Sequence, residues 1–457
     1  MKTTATFILS LTIIITLAAG SAFGAYSGGT GEPNDPYKIA AKADLLALAD
    51  NTADYDKCFI LTADIDMQAQ VFTTAIIASD TSFTGTFDGS GHKITHFAIN
   101  GGSNSYLGLF GYISSGGSVK NLRIENFAVS GSSDVGGLVG ENFGNISDCY
   151  STGAVSSNSN VGGLVGSNYY GSITNCYSTG SVSGTSFVGG LVGLNNYGNI
   201  SQCYSTSAVS GGGWGIGGLV GSNYYAGINN CYSMGTVSGS SGSLDVGGLV
   251  GDNSGNISNC YSTGAVSGTS FVGGLVGYSL GSVVGSFWDT STSGQTASFG
   301  GEGKTTTEMK TLLTFTSSPA SWDFTNETAN GANDYWRMCV NGVYYPRLNW
   351  ESIAGDFACP DGTDFYDLTI FMDQWLLEKL TQDTSPNGGD GIVNFIDWAT
   401  FANQWQGDMN DIADFASQWL KPGAYCADIA PAPGGDGVVN FVDFAVFAEY
   451  WLQGGNP

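Results

Sequence analysis

Two near-identical stretches, "GGDGIVNFID" ending at Asp397 and "GGDGVVNFVD" ending at Asp443, hold the densest chemistry in the chain. Calcium takes several oxygens at about 2.3–2.6 Å, and a twelve-residue loop gathers them round one point with a glycine at its sharpest turn. With Asp390 and Asp436 at position 5 of such a loop, Gly391 and Gly437 fall on the turn. Ile392 and Val438 then offer the backbone carbonyl at position 7, Asn394 and Asn440 stand at 9, and Asp397 and Asp443 stand at 12. Strict spacing puts Pro386 and Ala432 at position 1, where neither side chain can ligate, so Asp383 and Asp428 join the set only through insertions. An earlier copy, "DGTDFYD", places Asp361, Asp364 and Asp367 one residue short of the pattern. The spacing predicts bound calcium; the alternative is that these aspartates are helix caps and turn residues of a solvated acidic module.

Acid–base chemistry is sparse elsewhere. His92 and His96, in "HKITH", could chelate a metal from a helix, but in a strand that spacing separates them by about 13 Å, and surface histidines are the expectation. Glycoside hydrolysis needs two carboxylates across a bond. Asp134, Glu141, Asp148, Asp245 and Asp252 only flank a zone, residues 149–244, that has no charged side chain. Asp64 and Asp66 alternate around Ile65 and read as solvent-facing or turn-capping residues. A lyase would want a cation to stabilise developing negative charge, yet no Lys or Arg occurs from 124 to 303. The sequence predicts no catalytic residues and a non-catalytic binding role; the alternative is a polysaccharide-degrading enzyme with an unrecognised site.

The calcium-type loops need helices to hold them. "DLTIFMDQWL" from Asp367, "DWATFANQW" from Asp397, "DIADFASQWL" from Asp411 and "DFAVFAEYWL" from Asp443 repeat one pattern. In the last, Phe444, Phe447, Ala448, Trp451 and Leu452 share one helical face behind an aspartate N-cap. Four short amphipathic helices are predicted. The loop–helix pairs resemble the dockerin module, which implies calcium binding and docking onto a cohesin partner through residues 351–457.

Upstream, the chain is periodic. The hexapeptide VGGLVG begins at Val135, Val161, Val188, Val246 and Val272, and IGGLVG at Ile216, at intervals of 26 to 30 residues. A degenerate copy, LGLFGY, begins at Leu107. Each unit continues through an Asn/Tyr/Gly turn, a short Ile-containing piece, CYSTG and a Val-Ser piece. Glycine costs about 1 kcal/mol per helical position, so these short β-prone pieces predict one coil of a β-solenoid apiece, stacked at about 4.8 Å with Val135, Val161 and Val188 one above another. Cys149, Cys176, Cys203, Cys231 and Cys260 recur in register and read as stacked, buried small hydrophobes rather than disulfides. Tyr150, Tyr177, Tyr204, Tyr232 and Tyr261 come directly after them and by alternation point the other way. If outward, they form a contact row for sugar rings or a partner surface; the alternative is that they cover the coil and stack on one another.

The GGLVG core followed by NCYSTG-x-VSG, over residues 107–285, resembles the GLUG motif. That resemblance implies an all-β, right-handed parallel β-helix of the kind found in secreted and surface-attached bacterial proteins, including adhesin-like chains and an immunoglobulin-cleaving peptidase in which the motif is not the catalytic part. Residues 25–106 read as a cap and entry coils, with Ile39, Leu45, Leu46 and Leu48 on one face of a short helix over the open end. Residues 286–350, ending in "YWRMCVNGVYYPRLNW", are expected to close the other end.

Lys2, an apolar run from Phe7 to Ala19 and the small-x-small Ala22-Phe23-Gly24 read as a signal peptide over residues 1–24. Export to the exterior or cell surface is the expectation, with no membrane span. The formal net charge is -26, and residues 351–457 contribute 17 acids and 2 bases, about -15 of it. Nucleic acid and anionic membrane are poor partners for such a chain; polysaccharide or a cell-surface ligand remains. Calcium added to the metal-free full chain should raise helix content in circular dichroism, and at 100 times its Kd should stabilise by about 2.7 kcal/mol. An unchanged melting temperature would count against these ligands.

Overall fold

The computed structural model describes residues 26–325, 331 and 333–351. The signal-peptide reading and every calcium-type loop and helix after 351 lie outside the described residues. The described chain is a parallel β-solenoid. One face is a ten-stranded sheet running from Tyr37–Ile39 through Ile146 and Ile173 of successive coils to Ser282–Val284. A second is a seven-stranded sheet from Phe110–Ile113 to Val276–Ser279. The third bends round a corner: Tyr150–Gly162 pairs first with Arg123–Ser130 and then with Ser133–Gly136.

Register is the principle of construction. Val135, Val161, Val188, Ile216, Val246 and Val272 pair in sequence, each residue directly over its equivalent. Five of the six are fully buried, Val272 being partly so. The glycine after each is dictated by space. A Cβ on Gly189 would lie 2.0 Å from the Val192 carbonyl oxygen and 2.6 Å from the Gly221 nitrogen, so no larger residue fits where the chain doubles back.

The cysteine ladder is reduced and buried, as the repeat register predicts. Cys149, Cys176, Cys203, Cys231 and Cys260 are all free and fully buried. Each thiol donates to the carbonyl two residues back, for example Cys203 Sγ to Ser201 O at 3.1 Å. The residue before each, Asp148, Asn175, Gln202, Asn230 and Asn259, takes a left-handed conformation at φ 50–53°. Short polar side chains tolerate that region best.

A second internal ladder is polar. Asn142, Asn168, Asn195, Asn223 and Asn253 are fully buried. Each Nδ2 donates to the next coil's Oδ1, at 2.8, 2.8, 2.9 and 2.8 Å. The last donates to Ser279 Oγ at 3.0 Å. A buried amide without partners would cost about 1–3 kcal/mol; in register, each amide satisfies its neighbour.

Two expectations about the ends change. Ile39 is not helical: Tyr37–Ile39 is a strand in register on Phe59, Ile60 and Leu61, because this β-prone tripeptide meets an open sheet edge. The helix is Lys42–Asp50, which buries Leu45 and Leu48 against the first coils. At the other end the parallel ladder continues past 285, since Phe287–Asp289 pairs with Tyr261–Ser262 and Glu302–Lys304 pairs with Phe287–Asp289. The segment after it does not stop at the far end. It runs back along the flank, with a short antiparallel pair Trp336–Arg337 and Arg347–Leu348.

Asn195→Leu should leave the Asn223 acceptor and one Asn168 donor without their partners, and so destabilise by about 2–3 kcal/mol. Faster amide exchange centred on coils 168–223 checks this; uniform exchange across the solenoid would contradict it.

Candidate functional site

The tyrosines next to the cysteines do point away from the solenoid interior. Tyr150, Tyr177, Tyr204, Tyr232 and Tyr261 form one stack, with successive ring centroids 4.5, 4.7, 4.9 and 5.0 Å apart. They are not an open contact row. Tyr232 and Tyr261 are fully buried beneath the returning segment, in a cluster with Phe315, Trp322, Phe324 and Trp336. The Tyr232 hydroxyl accepts from Arg347 Nη1 at 2.7 Å and donates to Glu351 Oε2 at 2.8 Å. The Tyr261 hydroxyl donates to Pro346 O at 2.6 Å. Trp350 lies over Tyr177 and Tyr204, its centroid 6.3 and 5.9 Å from theirs. The occupant of this row is the chain's own segment, which buries the outward-projecting rings under its own aromatic side chains. Tyr150 alone lies beyond its reach.

The exposed aromatic residues are others. Tyr170, Tyr197 and Tyr225, exposed by 69, 49 and 60%, stand on three consecutive coils. Their centroids are 5.3 and 5.6 Å apart, with rings within 9° and 18° of parallel. Phe143 and Tyr169 stack beside them at 5.5 Å, and Tyr224 packs edge-on against Tyr225 at 4.5 Å. All three leading tyrosines have left-handed backbones, φ 58, 54 and 48°. Bulky residues avoid that region, so the corner holds them at a cost. The signal was in the sequence: "NYYG", "NNYG" and "NYYA" put a tyrosine two residues after each of the ladder asparagines Asn168, Asn195 and Asn223.

The scattered acids are also ordered. Asp134 and Glu141 flank one hexapeptide, and Asp245 and Asp252 flank another in the same two positions. Asp134 is buried and held by Ser133 Oγ at 2.6 Å, Asn160 Nδ2 at 2.8 Å and Ser167 Oγ. Half-buried Glu141 has its pKa pushed up to about 7, by desolvation first and then by the Asp134 charge. The tilted ring pair Tyr106 and Tyr112, 4.7 Å apart, occupies the equivalent positions one coil below. Asp245 and Asp252 are likewise raised by burial, and the Phe271–Tyr278 pair, 5.7 Å apart, takes the equivalent positions one coil above.

The histidines are exposed or partly so, each against its own carboxylate: His92 Nδ1 lies 3.1 Å from Asp64 and His96 Nδ1 3.2 Å from Asp66. No group of three or more His, Cys, Asp or Glu suited to a metal occurs among the described residues. Asp361, Asp364, Asp367, Asp383, Asp390, Ile392, Asn394, Asp397, Asp428, Asp436, Val438, Asn440 and Asp443 lie outside them. No helix among the described residues is long and apolar enough to cross a membrane.

The GLUG motif matches residues 131–156, 157–183 and 242–267. The chain is therefore a repeat β-solenoid protein carrying GLUG motifs. Halomucin of Haloquadratum walsbyi is 35% identical over 145 residues, 29% of this chain and 2% of that protein. A protein of Evansella cellulosilytica, provisionally described as a Gly-rich membrane protein, is 34% identical over 134 residues, 27% of this chain and 15% of that one. The chain thus spans a small part of the curated relatives it matches. A crystal structure from Bacteroides ovatus, provisionally described as an immunoglobulin A1 protease, aligns over 72% of this chain and 96% of its own, with TM-score 0.44 and 22% identity.

A carboxyl whose folded pKa is raised above its ordinary value stabilises the fold at low pH and loses that contribution as pH rises through the folded value. Glu141→Gln, which imitates the protonated form, should therefore match the native chain near pH 5 and exceed it at pH 8 by about 1–2 kcal/mol after allowance for solvent screening at a half-exposed site. Thermal melts across that range check the crossover.

Proposed function

We propose that this is an exported, non-catalytic binding or adhesion protein whose solenoid presents a contact surface to polysaccharide at the cell exterior. The observation that carries the reading is the exposed stack Tyr170–Tyr197–Tyr225, with Phe143, Tyr169 and Tyr224 at its side. Monomeric proteins rarely leave a contiguous aromatic patch open to water without a use for it. Rigid rings with a polar edge suit the C–H faces and hydroxyls of sugars. The surrounding coils are uncharged over residues 149–244, so a neutral chain can lie along them without desolvating ions. Similarity to halomucin and to a protein described as Gly-rich and membrane-associated agrees with an exterior location. In this reading residues 351–457 form a calcium-stabilised, dockerin-like anchor for a cohesin-like partner.

A second reading has one specific observation behind it. Half-buried Glu141, its pKa pushed up to about 7 by burial and then by the Asp134 charge, lies near the tightly held Asp134, with Tyr106 and Tyr112 on the next coil. Two carboxyls in different environments are the arrangement that glycosidases use, and carbohydrate-active chemistry is the alternative function.

One experiment addresses both. Retention of the full chain on insoluble polysaccharides should fall at least tenfold in the triple variant Tyr170→Ala, Tyr197→Ala, Tyr225→Ala, about 1.4 kcal/mol or more, with no reducing ends released by the native chain. Retention that the triple variant keeps would overturn the binding reading; reducing ends that vanish in Glu141→Gln would install the enzymatic one.

A further inference from the structure

The returning segment fills the tyrosine stack from Tyr261 back to Tyr177 and leaves Tyr150 beside an open cavity. The cavity measures about 430 Å³ and is walled by Asp88, Asn121, Arg123, Asp148 and Tyr150, with a glycine-containing turn closing it. That volume falls in the range of small-molecule sites, roughly 300–1,000 Å³, and suits one or two sugar rings. The Arg123 guanidinium sits over the Tyr150 ring, 5.1 Å from its centroid.

The charges around the cavity cancel in an ordered way. Asp88 pairs with Lys120 at 3.3 Å and accepts from Asn121 Nδ2 at 3.0 Å and from the Ser90 amide at 2.8 Å. Lys93 pairs with Glu125 at 3.1 Å, and His92 with Asp64 at 3.1 Å. Two groups are left over. Among the described residues Arg123 has no carboxylate within 4.0 Å, and Asp148 spends one oxygen on Asn175 Nδ2 at 3.1 Å and keeps the other free. The cavity thus offers one forked donor, one acceptor and the edge of an aromatic ring whose faces are taken by Arg123 and Tyr177, with no net charge between the donor and the acceptor.

Those features select a ligand. An anion at Arg123 would meet the carboxylates of Asp88 and Asp148, and a cation at Asp148 would meet the guanidinium. An uncharged polyol meets neither penalty: adjacent hydroxyls can accept from the guanidinium fork and donate to the carboxylate, while its C–H groups lie along the edge of the Tyr150 ring. We infer that this cavity is a saccharide subsite for one uncharged pyranose, with Arg123 and Asp148 gripping neighbouring hydroxyls beside the Tyr150 edge.

The subsite rests on the polysaccharide reading but uses different residues. Only the three-residue strands of the ten-stranded sheet, such as Asn145–Ser147, separate its corner at Asp148 from the exposed corner at Phe143 and Tyr170. A chain lying across that sheet would meet both.

Saturation-transfer NMR on the full-length protein, with methyl glucoside, methyl galactoside and methyl glucuronide as probes, tests this. At least one neutral glycoside should receive saturation, and Arg123→Gln and Asp148→Asn should each weaken it about tenfold, the loss expected for one hydrogen bond to a charged group. Both residues are exposed, and unchanged tryptophan fluorescence of the returning segment verifies the fold of each variant. Both losses should persist in a background carrying Tyr170→Ala, Tyr197→Ala and Tyr225→Ala, which removes the exposed stack as a second sugar contact. Absence of transfer to both neutral probes, transfer undiminished in both cavity variants, or binding of the glucuronide alone would each overturn the inference. Polysaccharide retention that the triple variant keeps, with glycoside transfer weakened by the cavity variants, would sink only the earlier reading; retention lost in the triple variant, with no transfer to either neutral glycoside, would sink only this one.

Discussion

The whole protein depends on one constraint: each residue of a coil lies directly on its equivalent in the next, about 4.8 Å away. Whatever a position is in one unit, it must tolerate a copy of itself above and below. Valine and leucine satisfy this by packing, cysteine by packing and a weak bond to a carbonyl, and asparagine by donating one amide to the next. A charge cannot satisfy it, since a like charge one coil away in a dry corner repels without compensation. The uncharged zone from 149 to 244 is the sequence trace of that rule.

The exceptions are therefore informative. Asp134, Glu141, Asp245 and Asp252 occupy two equivalent positions in coils set apart from one another, and the neighbouring coils answer with glycine, serine, asparagine or aromatic rings rather than a second acid. Burial raises Glu141, Asp245 and Asp252 together. The same rule shapes the aromatic rows. Identical rings on successive coils stack almost parallel, so any tyrosine kept in register becomes a ladder, and a ladder facing outward is a surface that something will cover.

Two such ladders exist and meet different fates. The one beginning at Tyr150 is covered by the chain itself, and the half-buried Arg347–Glu351 pair bridged by the Tyr232 hydroxyl fixes where the segment lands. The one through Tyr170, Tyr197 and Tyr225 stays open. Its rings are held on left-handed backbones, a conformation that packing at the corner must impose.

The repeat register was legible in the sequence because it is a property of period alone. Counting 26 to 30 residues from Val135 identifies the stacked valines, the buried cysteine ladder and the outward sense of the tyrosines, since alternation and stacking are local consequences of β geometry. The ladder asparagines were read only as turn residues, because their inward aim depends on how the corner bends. Which outward row would remain exposed was decided by tertiary structure. That outcome depends on a distant segment of the chain folding back over Tyr232 and Tyr261, a contact with no period and no local signature. The approach of Glu141 to Asp134, seven residues back across the folded hexapeptide, likewise depends on how tightly the corner closes. Residues distant in sequence become neighbours only when coils of unequal length close on one another, and composition carries no record of that closure.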